Sequence, residues 1–184
     1  MKTTYLIIAS LLVSCSVFGQ SKRLIDSKAF IRFFSEAPME DIEAINKEAL
    51  GALDLETGKV AVSMNMKDFH FEKSLMEEHF NENYIESEQY PKATFSGLLK
   101  GFKAEDLKKI TDSLSYEATG TLNLHGVSKE VKIPVVFTKS GNQLQVKAEF
   151  IIRIEEYEIE VPTMLIKNIA EEVLVTSKFS FTLK

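Results

Sequence analysis

"GTLNLHGVSKEVKIPV", residues 120–135, sets two alternating runs on either side of His125-Gly126. Before the break, Ala118, Gly120, Leu122 and Leu124 share a face; after it, Val131, Ile133, Val135 and Phe137 share another. Period-two alternation is the pattern of a half-buried strand. Two such runs joined by a tight glycine-containing break read as a β-hairpin, with residues 125–128 in the turn. His125 then reads as a turn residue that caps or hydrogen-bonds locally. A general acid or base would need a partner within reach and a means of tuning.

The same period continues on both sides of the hairpin. "KVAVSMNMKDF" puts Val60, Val62, Met64 and Met66 on one face, and Thr57-Gly58 before it supplies a turn. Residues 41–67 therefore read as a long hairpin. "FEKSLMEEHFNENY" spaces Leu75, Met76, His79 and Phe80 as an amphipathic helix does, over about 73–83. Pro91 then opens a strand with Ala93 and Phe95 on one face. "KGFKAEDLKKITDS" is a polar excursion between strands, and Gly141-Asn142 marks another turn. Val146, Ala148, Phe150, Ile152 and Ile154 alternate through "QLQVKAEFIIRIEEYEIEV", which reads as one continuing strand with Glu156, Glu158 and Glu160 on its solvated face. Val173, Val175, Phe179 and Phe181 alternate near the end. The expected fold class is all-β: an eight-stranded antiparallel barrel with one short helix between strands three and four. Closure of such a sheet removes its exposed edges.

The first twenty residues have a different character. "MKTTYLIIASLLVSCSVFGQ" carries Lys2, an apolar run from Tyr5 to Val13, and then small residues, the three-part layout of a secretory signal. The run is too short to span a bilayer, which takes roughly 20 residues. Two processing routes are readable. Cleavage after Gly19 makes residues 1–19 an ordinary signal peptide. "LVSC" resembles a bacterial lipobox, which makes residues 1–14 a lipoprotein signal and lipidates Cys15. The folded domain is expected over residues 22–184. Cys15 is the only cysteine in the chain, so under the first route the domain has neither disulfides nor cysteine-ligated metal. The formal net charge of −5 becomes −6 once Lys2 is removed with the leader. With no basic cluster, nucleic acid is not an expected partner.

Three stretches together resemble the YceI family. "HFNENYIESEQYPKATFSG" is similar to that family's helix-to-strand passage, which ends in Y-P-x-x-x-F. "GTLNLHGVSKEVKIPV" resembles its G-x-L-T-I-H-G-V-T-K-x-V-x-x-P hairpin, and "VAVSMNMKDFHF" its preceding strand. The resemblance runs from about residue 28 to the C-terminus. It implies a lipocalin-like extended barrel with a long apolar cavity, in an exported bacterial protein. In some members the ligand is a polyisoprenoid chain such as an isoprenoid quinone. The chain departs from the family where N-R-x-D-F/Y-G is frequent: Arg153 and Tyr157 match, but Glu158 stands in place of the glycine. "YIESEQYP" also lacks the family's frequent F-D.

No catalytic constellation emerges from the residues. There is no G-x-S-x-G, phosphate loop or dinucleotide glycine pattern. His70 and His79 lack the i, i+4 spacing of a helical zinc pair. The inward stripes remain: Val60, Val62, Met64, Met66, Phe95, Leu122, Leu124, Ile133, Val135, Phe137, Phe150, Ile152, Val175, Phe179 and Phe181. All but Val60 and Val175 are the candidate cavity-lining residues. Met64 and Met66 suit irregular apolar ligands because thioethers adapt their shape. Arg153 is either outward-facing or a mouth residue that meets a polar head group. The expected function is therefore non-enzymatic. An exported protein, periplasmic or lipid-anchored in the envelope, holds a long apolar isoprenoid or other lipid-like molecule, with no further cofactor. Membrane contact is expected only through a lipid anchor. The alternative is a cell-envelope interaction or stress protein with a filled barrel; a void of a few hundred cubic ångströms discriminates the two.

Overall fold

The computed structural model describes residues 22–36, 41–160 and 171–183. The leader and Cys15 lie outside the described residues. Eight long strands form one antiparallel barrel: β1 (Arg23–Ser35), β2 (Ile42–Asp54), β3 (Lys59–Asn65), β5 (Lys92–Leu99), β6 (Ser113–Leu124), β7 (Val127–Ser140), β8 (Gln143–Arg153) and β9 (Glu172–Thr182). A two-residue strand, β4 (His70–Phe71), adds to the edge of β2 through Ala44–Phe71 and Ile45–His70. The order is β1-β9-β8-β7-β6-β5-β3-β2, and β1 pairs with β2 to close the ring. Closure satisfies the backbone of every stave from two neighbours.

The turns follow from local chemistry. Between β2 and β3, Asp54 Oδ1 accepts the N–H groups of Glu56 and Thr57 at 2.9 and 3.0 Å. Gly58 completes that turn at φ 71°. β6 and β7 are joined by His125-Gly126 alone, with Leu124 opposite Val127. Both turn residues are left-handed, at φ 51° and 75°. A two-residue hairpin loop with positive φ at both centres matches the right-handed twist of the strands.

The helix between the third and fourth staves is α1 (Ser74–His79), continued by a wider turn over Phe80–Tyr84. Leu75 was expected on its inner face, but it is 60% exposed. Met76 and Phe80 turn inward instead. The polar excursion after β5 forms a short 3-10 turn, Ala104–Lys109, whose Leu107 is buried.

The expected strand does not continue through residues 154–160, and Val161 lies outside the described residues. β8 stops at Arg153, Ile154–Tyr157 make a 3-10 turn, and Glu158 is left-handed at φ 55°. Ile154 N–H still donates across to Glu171 O, one bond beyond the last β8–β9 pair, and Ile159 N–H then turns back to Ile154 O. Alternation in the sequence persists here, but nothing in it encodes the strand's end.

Candidate functional site

The inward faces of the strands enclose a bore with two unequal parts. The larger is a chamber of about 440 Å³ at the end covered by α1. It is walled by the last residues of β1, β3, β6 and β8 and the first of β2, β5 and β9. The smaller, about 100 Å³, lies in the other half. Ile31, Met64, Leu122, Phe150 and Val175 border both.

Every candidate cavity residue read from alternation lines one part or the other. Met66, Leu124 and Ile152 face the large chamber; Met64, Leu122 and Phe150 stand at the waist. Val62, Phe95, Ile133, Val135, Phe137, Phe179 and Phe181 face the small void. Val60 and Val175, left out of the candidate set, line it as well. Arg153 does not. It ends β8 with an outward side chain and pairs with Glu172 at 3.1 Å across the β8–β9 ladder. Its neighbour Ile152 points in, and period two sends Arg153 out. Of the two readings of Arg153, the outward-facing one describes its side chain.

The alternation missed an aromatic wall. Phe33 of β1 sits 5.3, 5.6 and 5.4 Å from the rings of Phe69, Phe71 and Phe80. Phe71 and Phe80 are 5.1 Å apart. Offset and edge-on pairs at such separations contribute about 0.5–1.5 kcal/mol each beyond burial. They fasten α1 and β4 over the chamber. The available signal was the density of phenylalanine in "RFF" and "DFHF", which periodicity alone does not assign to a face.

The residues with polar side-chain groups among those bordering the chamber are Ser35, His79 and Tyr84. Ser35 is 2% exposed, and its hydroxyl has no partner among the described residues. Burial pushes the Tyr84 phenol above its ordinary value, so it stays a neutral hydrogen-bonding group. An apolar wall with a few convergent polar groups is the usual composition of a small-molecule site.

His125 is not among the chamber residues. It is 8% exposed, and its partners are distant in sequence rather than local. Nδ1 lies 3.1 Å from Tyr157 O, Nε2 lies 3.0 Å from Glu86 Oε2, and the ring packs 4.3 Å from that of Tyr90. Both partners accept. Glu86, His125 and Glu158 are the non-glycine residues with positive φ among the described residues, and they meet here. His125 thus braces the hairpin tip to the turn after α1 and the turn after β8. Ile85, Leu124, Ile154 and Ile159 from those segments line the chamber rim. The expectation of a locally bonded turn histidine is corrected in its partners, while its place in the turn stands.

The comparisons with known proteins agree with this geometry. The solved polyisoprenoid-binding domain from Saccharophagus degradans superposes with a TM-score of 0.73 at 13% identity, over 88% of this chain and 98% of that one. Burkholderia cenocepacia BcnA gives a TM-score of 0.69 at 16% identity, over 83% and 96%. The Campylobacter jejuni YCEI protein gives 0.59 at 13% identity, over 100% and 91%. No curated protein matches the sequence. At such identities the likeness establishes the fold. The model of the YceI-like domain matches residues 27–181, and with the closed eight-stave barrel around an apolar bore this places the chain in the YceI-like domain family.

Proposed function

We propose that the protein is a non-enzymatic carrier or sequestering protein for an apolar, lipid-like molecule, with an isoprenoid as the leading class. The carrying observation is the large chamber: about 440 Å³ walled by aliphatic and aromatic side chains, within the range of small-molecule sites. Its volume favours a ligand over a filled barrel that acts only through its surface. Burying a chain in such a wall contributes about 0.8 kcal/mol per methylene, so affinity does not depend on many polar contacts. Ser35, whose hydroxyl has no partner among the described residues, is where a polar end of the ligand would bond. The likeness to a polyisoprenoid-binding domain supports the class, since the fold is shared.

The site of action in this reading is the cell envelope. Lys2, the apolar run and the small residues around Gly19 support export, with Cys15 offering a lipid anchor. Labelling cells with a palmitate analogue, with Cys15→Ala as control, decides the anchor. Native mass spectrometry of protein purified from its own envelope tests the carrier reading. The expected spectrum shows an added mass that extracts into organic solvent. A uniformly bare protein with nothing extractable overturns it.

A further inference from the structure

The bore does not run open from end to end. Past the waist at Met64, Leu122 and Phe150 it narrows from about 440 Å³ to about 100 Å³. The space is taken by rings: Phe95, Phe137, Phe179 and Phe181 all point inward there. Phe179 and Phe181 lie parallel, 6.2 Å apart with 5° between planes. Phe179 lies on Gly51 of β2, where an added Cβ would overlap its ring. The glycine makes room for the phenylalanine across the bore. Phe137, 1% exposed, is held from behind by Tyr116 and Phe102 at 5.4 and 6.3 Å.

We propose that these phenylalanines are a stop that sets the length of apolar tail the chamber accepts. This inference rests on the carrier reading above and narrows it. A water molecule's share of liquid volume is about 30 Å³ and a methylene's is similar, so the chamber takes on the order of fifteen chain carbons, or about three isoprene units. A longer tail finds room for only a few carbons beyond the waist and leaves the remainder in water. Specificity then belongs to Phe179 and Phe181, whose rings fill the bore beyond the waist, and to Gly51, which makes room for Phe179.

The test is a ladder of straight-chain alcohols from about 8 to about 24 carbons, titrated against the full chain; each buried methylene raises affinity about fourfold. For the wild type the rise should end at on the order of fifteen carbons and then stay flat. Phe179→Ala and Phe181→Ala should move the break to chains several carbons longer. Phe179→Leu serves as the milder truncation, with circular dichroism confirming the fold of each variant. Affinity that keeps climbing past about twenty carbons in the wild type, beyond the chamber's capacity, overturns the stop. So does a break that stays fixed in folded variants. If no alcohol of any length binds the wild type, the carrier reading itself fails and the stop with it, an outcome distinct from the other two.

Discussion

The two halves of the barrel are built from the same materials and end differently. Both are closed by an excursion between strands, and both excursions are pinned by aromatic clusters. At one end α1 and β4 rest on Phe33, Phe69, Phe71 and Phe80 and leave a chamber. At the other the 3-10 turn after β5 lies beside Phe102, Tyr116 and Phe137, and the bore is nearly full. The difference is where the rings point. In the open half they pack against each other along one wall, whereas in the packed half Phe95 of β5, Phe137 of β7, and Phe179 and Phe181 of β9 converge on the bore. Stability and binding are therefore divided between the halves: one supplies a close-packed core, and the other keeps a surface that only a ligand would cover.

The largest test of that division is a pair of truncations. Phe137→Ala opens a hole in close-packed surroundings and should cost about 3–5 kcal/mol. Phe150→Ala, at the edge of an existing void, should cost less than half as much, on the order of 1–2 kcal/mol. Urea denaturation of the ligand-free protein measures both. Equal costs would mean that the chamber collapses in solution and that the halves do not differ.

The brace at His125 belongs to the open half, because the segments it joins carry rim residues. His125→Asn keeps a residue that tolerates the left-handed turn but cannot reach Glu86 or Tyr157. The expected loss is about 2 kcal/mol, for two hydrogen bonds and the stack on Tyr90. His125→Ala should lose more, since it adds the backbone penalty. A ranking with asparagine worse than alanine would show that the ring's bonds are not what holds the turn. Glu158 tests strain in the same place. At φ 55° it occupies a conformation that glycine adopts freely, and Glu158→Gly should raise stability by about 1 kcal/mol. Thermal melts at constant pH read out the change. A loss instead would mean that the Glu158 side chain has a role its backbone does not suggest.

How far the sequence announced this division depends on the segment. β6, β7, β8 and β9 alternate cleanly, and their inward residues were legible because each strand meets the bore on one face for its whole length. β1 was less legible: its register with β2 shifts between Asp26 and Ala29 and again between Ala29 and Ile31, which breaks period two. The end of β8 was illegible for the opposite reason, since alternation runs on past Arg153 without glycine or proline while the backbone turns. His125 was placed in its hairpin by local pattern, but its partners lie 32 and 39 residues away. Period two also says which residues point inward without saying whether facing rings meet. The chamber and the stop are properties of opposed staves, and no single strand's sequence contains them.

Ser35 asks whether the open half has a polar address. Among the described residues its buried hydroxyl has no partner, so Ser35→Ala should change stability by less than about 0.5 kcal/mol or raise it slightly. Toward a ligand whose polar end bonds there, the same change should lower affinity a few-fold, up to about tenfold, with purely apolar probes unaffected. Parallel titrations with an alcohol and the matching alkane separate these. An equal loss for both would assign Ser35 a packing role only.

The smallest effects come from the outer surface, and they too differ between the ends. At the packed end, Asp54 accepts backbone N–H groups, Thr57 foremost, and these hold its carboxyl below the ordinary 3.8. At the open end Glu43 is held below 4.5 by its hydrogen bond from Arg32 at 2.7 Å. A carboxyl depressed in the folded state stabilises at pH above its unfolded value, and that stability is lost as pH falls through the folded value. Both contributions should therefore be intact at neutral pH and fade below about pH 4. Salt separates them: an exposed ion pair is screened within about 10 Å at 0.1 M, whereas hydrogen bonds to backbone amides are not. Asp54→Asn keeps an acceptor for the turn but no titratable group, so it should flatten part of the acid limb equally at low and high salt. Glu43→Gln should flatten it only at low salt. If both variants respond to salt alike, the Asp54 turn is governed by its pairing with Arg23 at 3.6 Å rather than by the amides it caps.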